Sequence, residues 1–456
     1  MANGQPPFRG ACSKNSSFAV LTLPSPKDPR RAYHDFRKHC YEHIFKVIVA
    51  VDKLAASDPG VIDGQTTLIS KRQNEAYEVI SGSKDDVFLT SLYDWYLEQG
   101  WSDRLLNSTS PFVVTYLERK SEVDISHADL LWRYYGQSHR YSEAAKVQYQ
   151  LAQSAFALPL ARRIEYLGKA RSNASAFTPD ISRQARQRLL QEIATLIDVA
   201  NIQDELLQRL KEDTRLDQDR KAAIMKDIDG PILDISLVKF SDSIFPRMCP
   251  NLPQLFNQYA DPGSYYDLCL QVFYIADYRN SADIRLTWQQ LIQQLHDRTA
   301  EKGEPQPYEV VAEKVRSLGS RLRMSETVFP VPVLLPMLEK YVLDYQRGLA
   351  PSAWVVDLFL DLEVSHDVIY SVLESMFYND EAPFHGPNRR QIASEIVYLV
   401  QRWFHDTARI GGMVFGSDAI AARVSETLRL LQQSGLEPEL LQVAQELRLR
   451  IDDVIR

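Results

Sequence analysis

Cysteine is scarce in this chain, and long apolar runs are missing altogether. Cys12, Cys40, Cys249 and Cys269 are the 4 cysteines among 456 residues, and no two share a paired spacing. That excludes a disulfide-stapled scaffold and a Cys-x-x-Cys metal ribbon, so reduced thiols in a cytosolic or nuclear compartment are expected. No apolar run reaches the roughly 20 residues that span a bilayer. The opening MANGQPPFRG has no apolar core of a signal peptide. A basic excess is missing too: 52 Lys and Arg stand against 60 Asp and Glu, a net charge of -8. Nucleic acid and anionic membranes select basic surfaces, so direct nucleic-acid binding is not expected and any membrane association would be indirect. Catalytic signatures are also absent. There is no G-x-S-x-G, no H-R-D, and no lysine after the glycines of IGGMVFGSD (410–418) to make a phosphate loop. His39 and His43 are four apart, but the Cys-Tyr-Glu between them does not put Glu in the metalloprotease position; an exposed histidine face is the plainer reading. The chain therefore reads as no enzyme, with no cofactor, metal or small-molecule substrate.

What is present is helical periodicity, densest from Ser83 to Ala176. Ser83 with Asp86 forms a capping signature, and Gly100 stands where that helix should stop. Phe88, Leu92 and Trp95 share one face while Leu89, Tyr93 and Tyr96 share the next, an apolar arc wide enough to be packed on two sides. Ser110-Pro111 opens a second helix, Ser126 with Asp129 a third, and Tyr141-Ser142 a fourth with an Ala-rich face. Short loops between such helices make hairpins that stack on their neighbours. The fold class expected is all-α: an irregular α-helical solenoid of stacked antiparallel hairpins.

Residues 1–28 are polar and rich in Pro and Ser, and read as a disordered segment. Residues 29–228 form an N-terminal helical stack: Pro29 to about Ala56, a weaker helix over 65–80, the four helices above, and a long helix from Thr178-Pro179-Asp180 to about Glu212. Prolines at 231, 246, 250, 253 and 262 make 229–263 a connection or hinge. Residues 264–456 form a C-terminal stack, with helices over 265–278, 284–299, 308–323, 333–346, 352–362, 366–378, 388–409, 418–433 and 438–455. No strand alternation persists, and no fixed repeat period matches a tetratricopeptide, ankyrin or HEAT template. A local basic run, Arg162, Arg163, Lys169, Arg171, Arg183, Arg186 and Arg188, could face RNA or an acidic partner, although charged solvated helix faces are common.

The blocks LYDWYLEQG, SPFVVTYLERK, DLLWRYYGQSHRYSEAAKVQYQLA and RRIEYLGKARSNA, in that order and spacing, resemble the C-terminal half of the large inner-ring scaffold nucleoporins. These are the non-repetitive nucleoporins of the 155/170 class, which carry a propeller ahead of a helical solenoid. Weaker matches follow at NQYADPGSYYDLCLQVFYIADY, ADIRLTWQQLI, VFPVPVLLPMLEKYV and SAWVVDLFLDLEV. The resemblance covers most of the chain beyond about residue 65 and not the first 30 residues. It implies one part of a longer protein, at the nuclear pore complex of the nuclear envelope. There it would act as a scaffold in pore assembly and in the transport of protein and mRNA. It also implies a docking surface for short linear motifs in linker segments of other nucleoporins, including the phenylalanine-glycine type. Without the resemblance, a helical-repeat adaptor of a vesicle coat or RNA-handling complex is the alternative.

The stretch VFPVPVLLPM (328–337) is the candidate docking region. Pro330 and Pro332 are expected to keep the approach extended, leaving Phe329 and Val333 at the rim of a groove with Met337 and Tyr341 further down the helix. The next helix carries Trp354 and Phe359 in a run too apolar to be half exposed unless something covers it. Phe377 and Tyr378 complete the candidate peptide-binding set.

Overall fold

Helices form because apolar residues recur at helical spacing and acidic or hydroxyl side chains cap the starts. The computed structural model describes residues 30–455 apart from 58–60, 63–64, 109, 178–180, 234–254, 301–304, 323–324, 347–352, 380–381, 411–413 and 434. The expected N-terminal segment 1–28 lies outside the described residues. The chain divides into two units, Met1–Leu233 and Asp234–Arg456.

The first unit runs α1 (Arg30–Ala56), α2 (Leu68–Ser81), α3 (Asp86–Glu98), α4 (Ser102–Leu106), α5 (Phe112–Ser121), α6 (Ile125–Gln137), α7 (Tyr141–Gln153), α8 (Leu160–Ser175), α9 (Arg183–Glu212) and α10 (Gln218–Ile228). Between α1 and α2, Val61–Ile62 pairs antiparallel with Gln65–Thr66, a two-residue ladder too short to alternate visibly in the sequence. The caps of α3 and α6 each sit two residues from the expected positions. Asp85, not Ser83, caps α3 by accepting from the amides of Val87 at 3.0 Å and Phe88 at 3.3 Å. Asp124, not Ser126, caps α6 by accepting from the Ser126 amide at 3.0 Å. Asp129 is then free to accept from Trp132 Nε1 (2.9 Å) and the Tyr166 hydroxyl (2.8 Å), which ties α6 to α8. Thr178-Pro179-Asp180 lies outside the described residues, and Ser182 caps α9.

Successive helices from α5 to α9 pack on one another, as hairpin stacking requires. The wide apolar arc of α3 is buried, Leu92 and Tyr93 at 2% exposure each. Trp95 is half-buried and stacks on Phe45 of α1, ring centroids 4.9 Å apart. Ala144, Ala145, Ala152, Ala170 and Ala174 let α7 and α8 approach closely. The turn between them is organised by Arg163, which is fully buried and has no carboxylate partner among the described residues. Its guanidinium donates to the carbonyls of Ala152 (2.8 Å), Ser154 (2.7 Å), Phe156 (2.7 Å) and Leu158 (3.2 Å). Arg163 thus leaves the basic run and belongs to the core, while Arg162 and Lys169 pair with Glu165.

The second unit is described from a π-helical turn, Leu255–Ala260. It continues with α11 (Tyr266–Ile275), α12 (Ser281–Ala300), α13 (Pro307–Leu322), α14 (Val331–Tyr345), α15 (Trp354–Asp361), α16 (His366–Asn379), α17 (Arg389–Ile410), α18 (Asp418–Leu431) and α19 (Pro438–Ile455). Trp288 of α12 is fully buried, donates Nε1 to the Val328 carbonyl at 2.8 Å, and meets Phe329 edge-on at 5.8 Å. α13 passes close beneath the end of α15: a Cβ built on Gly319 would sit 2.5 Å from Leu362 and 3.1 Å from Phe329. α16 and α18 are joined by a buried network. The Tyr370 hydroxyl and Thr427 Oγ1 lie within 2.9 Å of each other and of Glu374, which Arg423 also engages. Among the described residues, no helix is long and apolar enough to cross a membrane, and no group of three or more His, Cys, Asp or Glu could hold a metal.

Candidate peptide-docking grooves in the second unit

Of the prolines of VFPVPVLLPM, Pro330 alone is extended, as the N-cap of the helix that follows. α14 begins at Val331, with Pro332 in its first turn and Pro336 inside the helix. A first-turn N–H has no intrahelical partner, so a proline there removes nothing. The preceding residues are turned as well, the Phe329 amide donating to the Ser325 carbonyl at 3.0 Å.

The eight candidate docking residues separate by burial. Phe329, Tyr341, Trp354, Phe359 and Phe377 are 5%, 4%, 9%, 0% and 2% exposed. Val333 and Met337 are half-buried, and Tyr378 is 47% exposed. Phe329 and Phe359 meet, ring centroids 6.2 Å apart. Tyr341 lies against His296 and Tyr345 of the aromatic cluster between α12 and α14. Arg389 covers the Phe377 ring at 4.0 Å, and the Tyr378 hydroxyl is 3.3 Å from Thr427. The apolar α15 is therefore covered by its neighbours: Val355, Val356, Leu358 and Phe359 are all at 1% exposure or less.

Two of the eight line concavities. The larger, of about 920 Å³, lies between α13 and α15. Its floor is Tyr308 and Trp354, ring centroids 5.9 Å apart, with Val310 and Leu358 beside them. Trp354 is fixed by donating Nε1 to Gln346 at 3.1 Å. The rim is charged. Lys314 is held by buried Asp267 at 2.6 Å, Arg316 bridges Glu313 and Asp361, and Asp357 accepts from Tyr398 and Arg402 at 2.8 and 2.7 Å. Glu309 is exposed on the same rim. An aromatic floor with walls of mixed charge suits an apolar anchor side chain. The smaller concavity, of about 740 Å³, lies at the start of α14 and is lined by Phe329, Pro330, Pro332, Leu362, Val364 and Val368, among others. Tyr308 and its α13 neighbours escaped the sequence reading because their periodicity looks like an ordinary amphipathic helix.

Under this geometry lies a pair of buried carboxyls. Glu339 of α14 is fully buried; its Oε2 accepts from Gln391 at 3.0 Å and its Oε1 has no partner among the described residues. Glu395 of α17 accepts from the Ala353 amide at 3.2 Å through Oε1, and its Oε2 has no partner among the described residues. Burial pushes Glu339 up to about 8. Burial, then the nearby Glu339, raises Glu395 well above the usual carboxyl range.

Stacked helical hairpins, with grooves on the second unit, make this an all-α helical solenoid. The sequence profile of the non-repetitive/WGA-negative nucleoporin C-terminal family matches residues 12–440, and the chain belongs to that family. The match begins well before the point the sequence blocks suggested. It also places the chain with structural components of the nuclear pore complex. The chain is 37% identical over 434 residues to Nucleoporin NUP170 of Chaetomium thermophilum, covering 88% of this chain and 29% of that one. It is 32% identical over 401 residues to a probable nucleoporin of Schizosaccharomyces pombe, covering 87% and 28%. It thus spans less than a third of the length of these relatives. Among solved structures it is similar to the crystal structure of the Chaetomium thermophilum Nup170 CTD–Nup145N complex, with a TM-score of 0.82, 36% identity, and coverage of 95% of this chain and 82% of that one. The structure of Chaetomium thermophilum Nup170 CTD matches with a TM-score of 0.81 and 33% identity, covering 93% and 82%.

Proposed function

We propose that this chain is a docking scaffold of the inner ring of the nuclear pore, holding short linear segments from linkers of other nucleoporins, including those of the phenylalanine-glycine type. The observation that carries this reading is the likeness to a relative's domain solved in complex with Nup145N. Linker binding to this chain fits the second unit, where the groove between α13 and α15 offers an aromatic floor. Trp354, in the floor of one concavity, and Phe329, lining the other, are the grooved members of the candidate set, and Val333, Met337 and Tyr378 are the members with side-chain surface left for a partner.

The test is a titration of a linker fragment of the same organism's Nup145N counterpart. Tyr308→Glu and Val310→Glu sit on the groove without filling the core, so melting should be unchanged while affinity falls more than about tenfold, as anchor truncations do. Val333→Glu, Met337→Glu and Tyr378→Glu probe the α14–α16 face in parallel. If every folded variant binds like the parent, both surfaces are wrong.

A further inference from the structure

Two acids are buried where α14, α15 and α17 meet, and neither is ion-paired among the described residues. Glu339 of α14 is 0% exposed and Glu395 of α17 is 6% exposed. Each holds one hydrogen bond, Glu339 from Gln391 and Glu395 from the Ala353 amide, and each keeps a second oxygen without a partner. The charges on the surrounding elements are engaged elsewhere or face solvent. Asp357 of α15 accepts from Tyr398 and Arg402 of α17. On α16, Glu374 is held by Arg423 and Tyr370, and His366 pairs with Asp406. Arg389 of α17 lies over Phe377, and His296 of α12 contacts Tyr341. Lys340 and Asp344 of α14 and Arg390 of α17 are exposed.

What Glu395 holds is a strained turn. Ala353 has a φ of 65°, a left-handed conformation that is unfavourable for a residue with a Cβ, and no side chain caps the helix it starts. Its amide is fixed by Glu395, and the next residue, Trp354, lies in the floor of the α13–α15 groove. Burial pushes Glu339 up to about 8, and burial with the nearby Glu339 raises Glu395 well above the ordinary carboxyl range. Raised acids are at ease at low pH, where at least one of the two keeps its proton. As pH rises through the raised values, two like charges come to face each other in an interior that screens them poorly. Swinging Glu395 outwards relieves that repulsion, and it gives up the Ala353 amide.

We infer that Glu339 and Glu395 are a proton-operated latch on the start of α15, closed while one carboxyl holds its proton and open once both are ionised. Opening moves Trp354 and so reshapes the groove floor, with or without a partner in the groove. The test is the fluorine NMR spectrum of the whole chain grown with 5-fluorotryptophan, recorded from pH 6 to pH 9, with the Trp354 signal assigned by Trp354→Phe. The described residues lining the groove around that ring include no histidine, the side chain whose charge ordinarily changes in this range. In the parent the Trp354 signal should shift with a midpoint near pH 8, while that of Trp288 in α12 stays in place. Glu339→Gln leaves at most one charge on the pair and should hold the Trp354 signal at its low-pH position throughout. Glu395→Gln keeps an acceptor of the same shape for the Ala353 amide and should do the same. Glu395→Ala removes the acceptor and should show the high-pH signal already at pH 6. A parent signal that does not move, the parent's shift persisting in Glu339→Gln, or the low-pH signal in Glu395→Ala would each overturn the inference. So would a shift shared with Trp288, which would mean general loosening of the unit rather than release of α15.

Discussion

Replacing Glu339 by glutamine isolates the largest electrostatic liability in the second unit. The Glu339 carboxyl is fully buried between α14 and α17 and receives one hydrogen bond, from Gln391. Glu395 faces it with one oxygen likewise unpartnered, and the next charge is Asp357, already held by Tyr398 and Arg402. Burial pushes Glu339 up to about 8 from the usual 4.5. The folded state therefore keeps a proton that the unfolded chain releases above its ordinary carboxyl pKa. For a raised acid, the folded state is favoured at low pH, and stability falls as pH rises towards the folded value. One proton changes stability by at most about 1.4 kcal/mol per pH unit. Between pH 6 and pH 8 the loss should be about 2 kcal/mol, with Glu395 adding to it. Glu339→Gln removes this titration and the charge that Glu395 feels. Urea unfolding at pH 6, 7 and 8 followed by tryptophan fluorescence reads both units, through Trp288, Trp354 and Trp403 in the second and Trp95, Trp101 and Trp132 in the first. The difference between parent and variant therefore isolates the second unit's contribution. The parent should weaken across that range, and the variant should be flatter and the more stable of the two at pH 8. A parent equally stable at pH 6 and 8, or a variant with the parent's slope, would refute the reasoning.

Arg163→Met would leave four carbonyls of the α7–α8 turn without their donor, and should cost at least about 3 kcal/mol in urea unfolding of the first unit. Trp95→Ala should cost about 3 kcal/mol by removing the ring stacked on Phe45, with hydrogen exchange rising first in α1 and α3. Gly263→Ala would put a Cβ 2.9 Å from the Tyr259 carbonyl oxygen and against the Tyr265 ring, and should lower stability by about 1–3 kcal/mol in thermal melts.

Much of the helix inventory was legible because capping residues and apolar spacing are local signals. The helix over 438–455 matches α19 (Pro438–Ile455), and the start at Tyr141 matches that of α7. What escaped depends on neighbours distant in sequence. Arg163 looks like any surface arginine until the turn carbonyls close around it. Glu339 and Glu395 interrupt the apolar runs LLPMLEKYVL and IASEIVYLV, a faint hint of buried acids that gives no sign the two helices meet. α4 is five residues long, too short for periodicity to reveal. The grooved surface was harder still. Whether an apolar helix such as α15 is covered by its own chain or by a partner is decided by tertiary packing, and here Phe359 and Tyr341 went to the core. Trp354 lines a groove because Tyr308, 46 positions earlier, lies beside it.

The docking claim is tested most directly by hydrogen exchange of the whole chain with and without the linker fragment of the Nup145N counterpart. The account predicts added protection concentrated in α13 and α15, residues 307–322 and 354–361, together with the α14 start. Protection absent from the second unit, or a chain whose exchange the fragment does not change at saturating concentration, would contradict it.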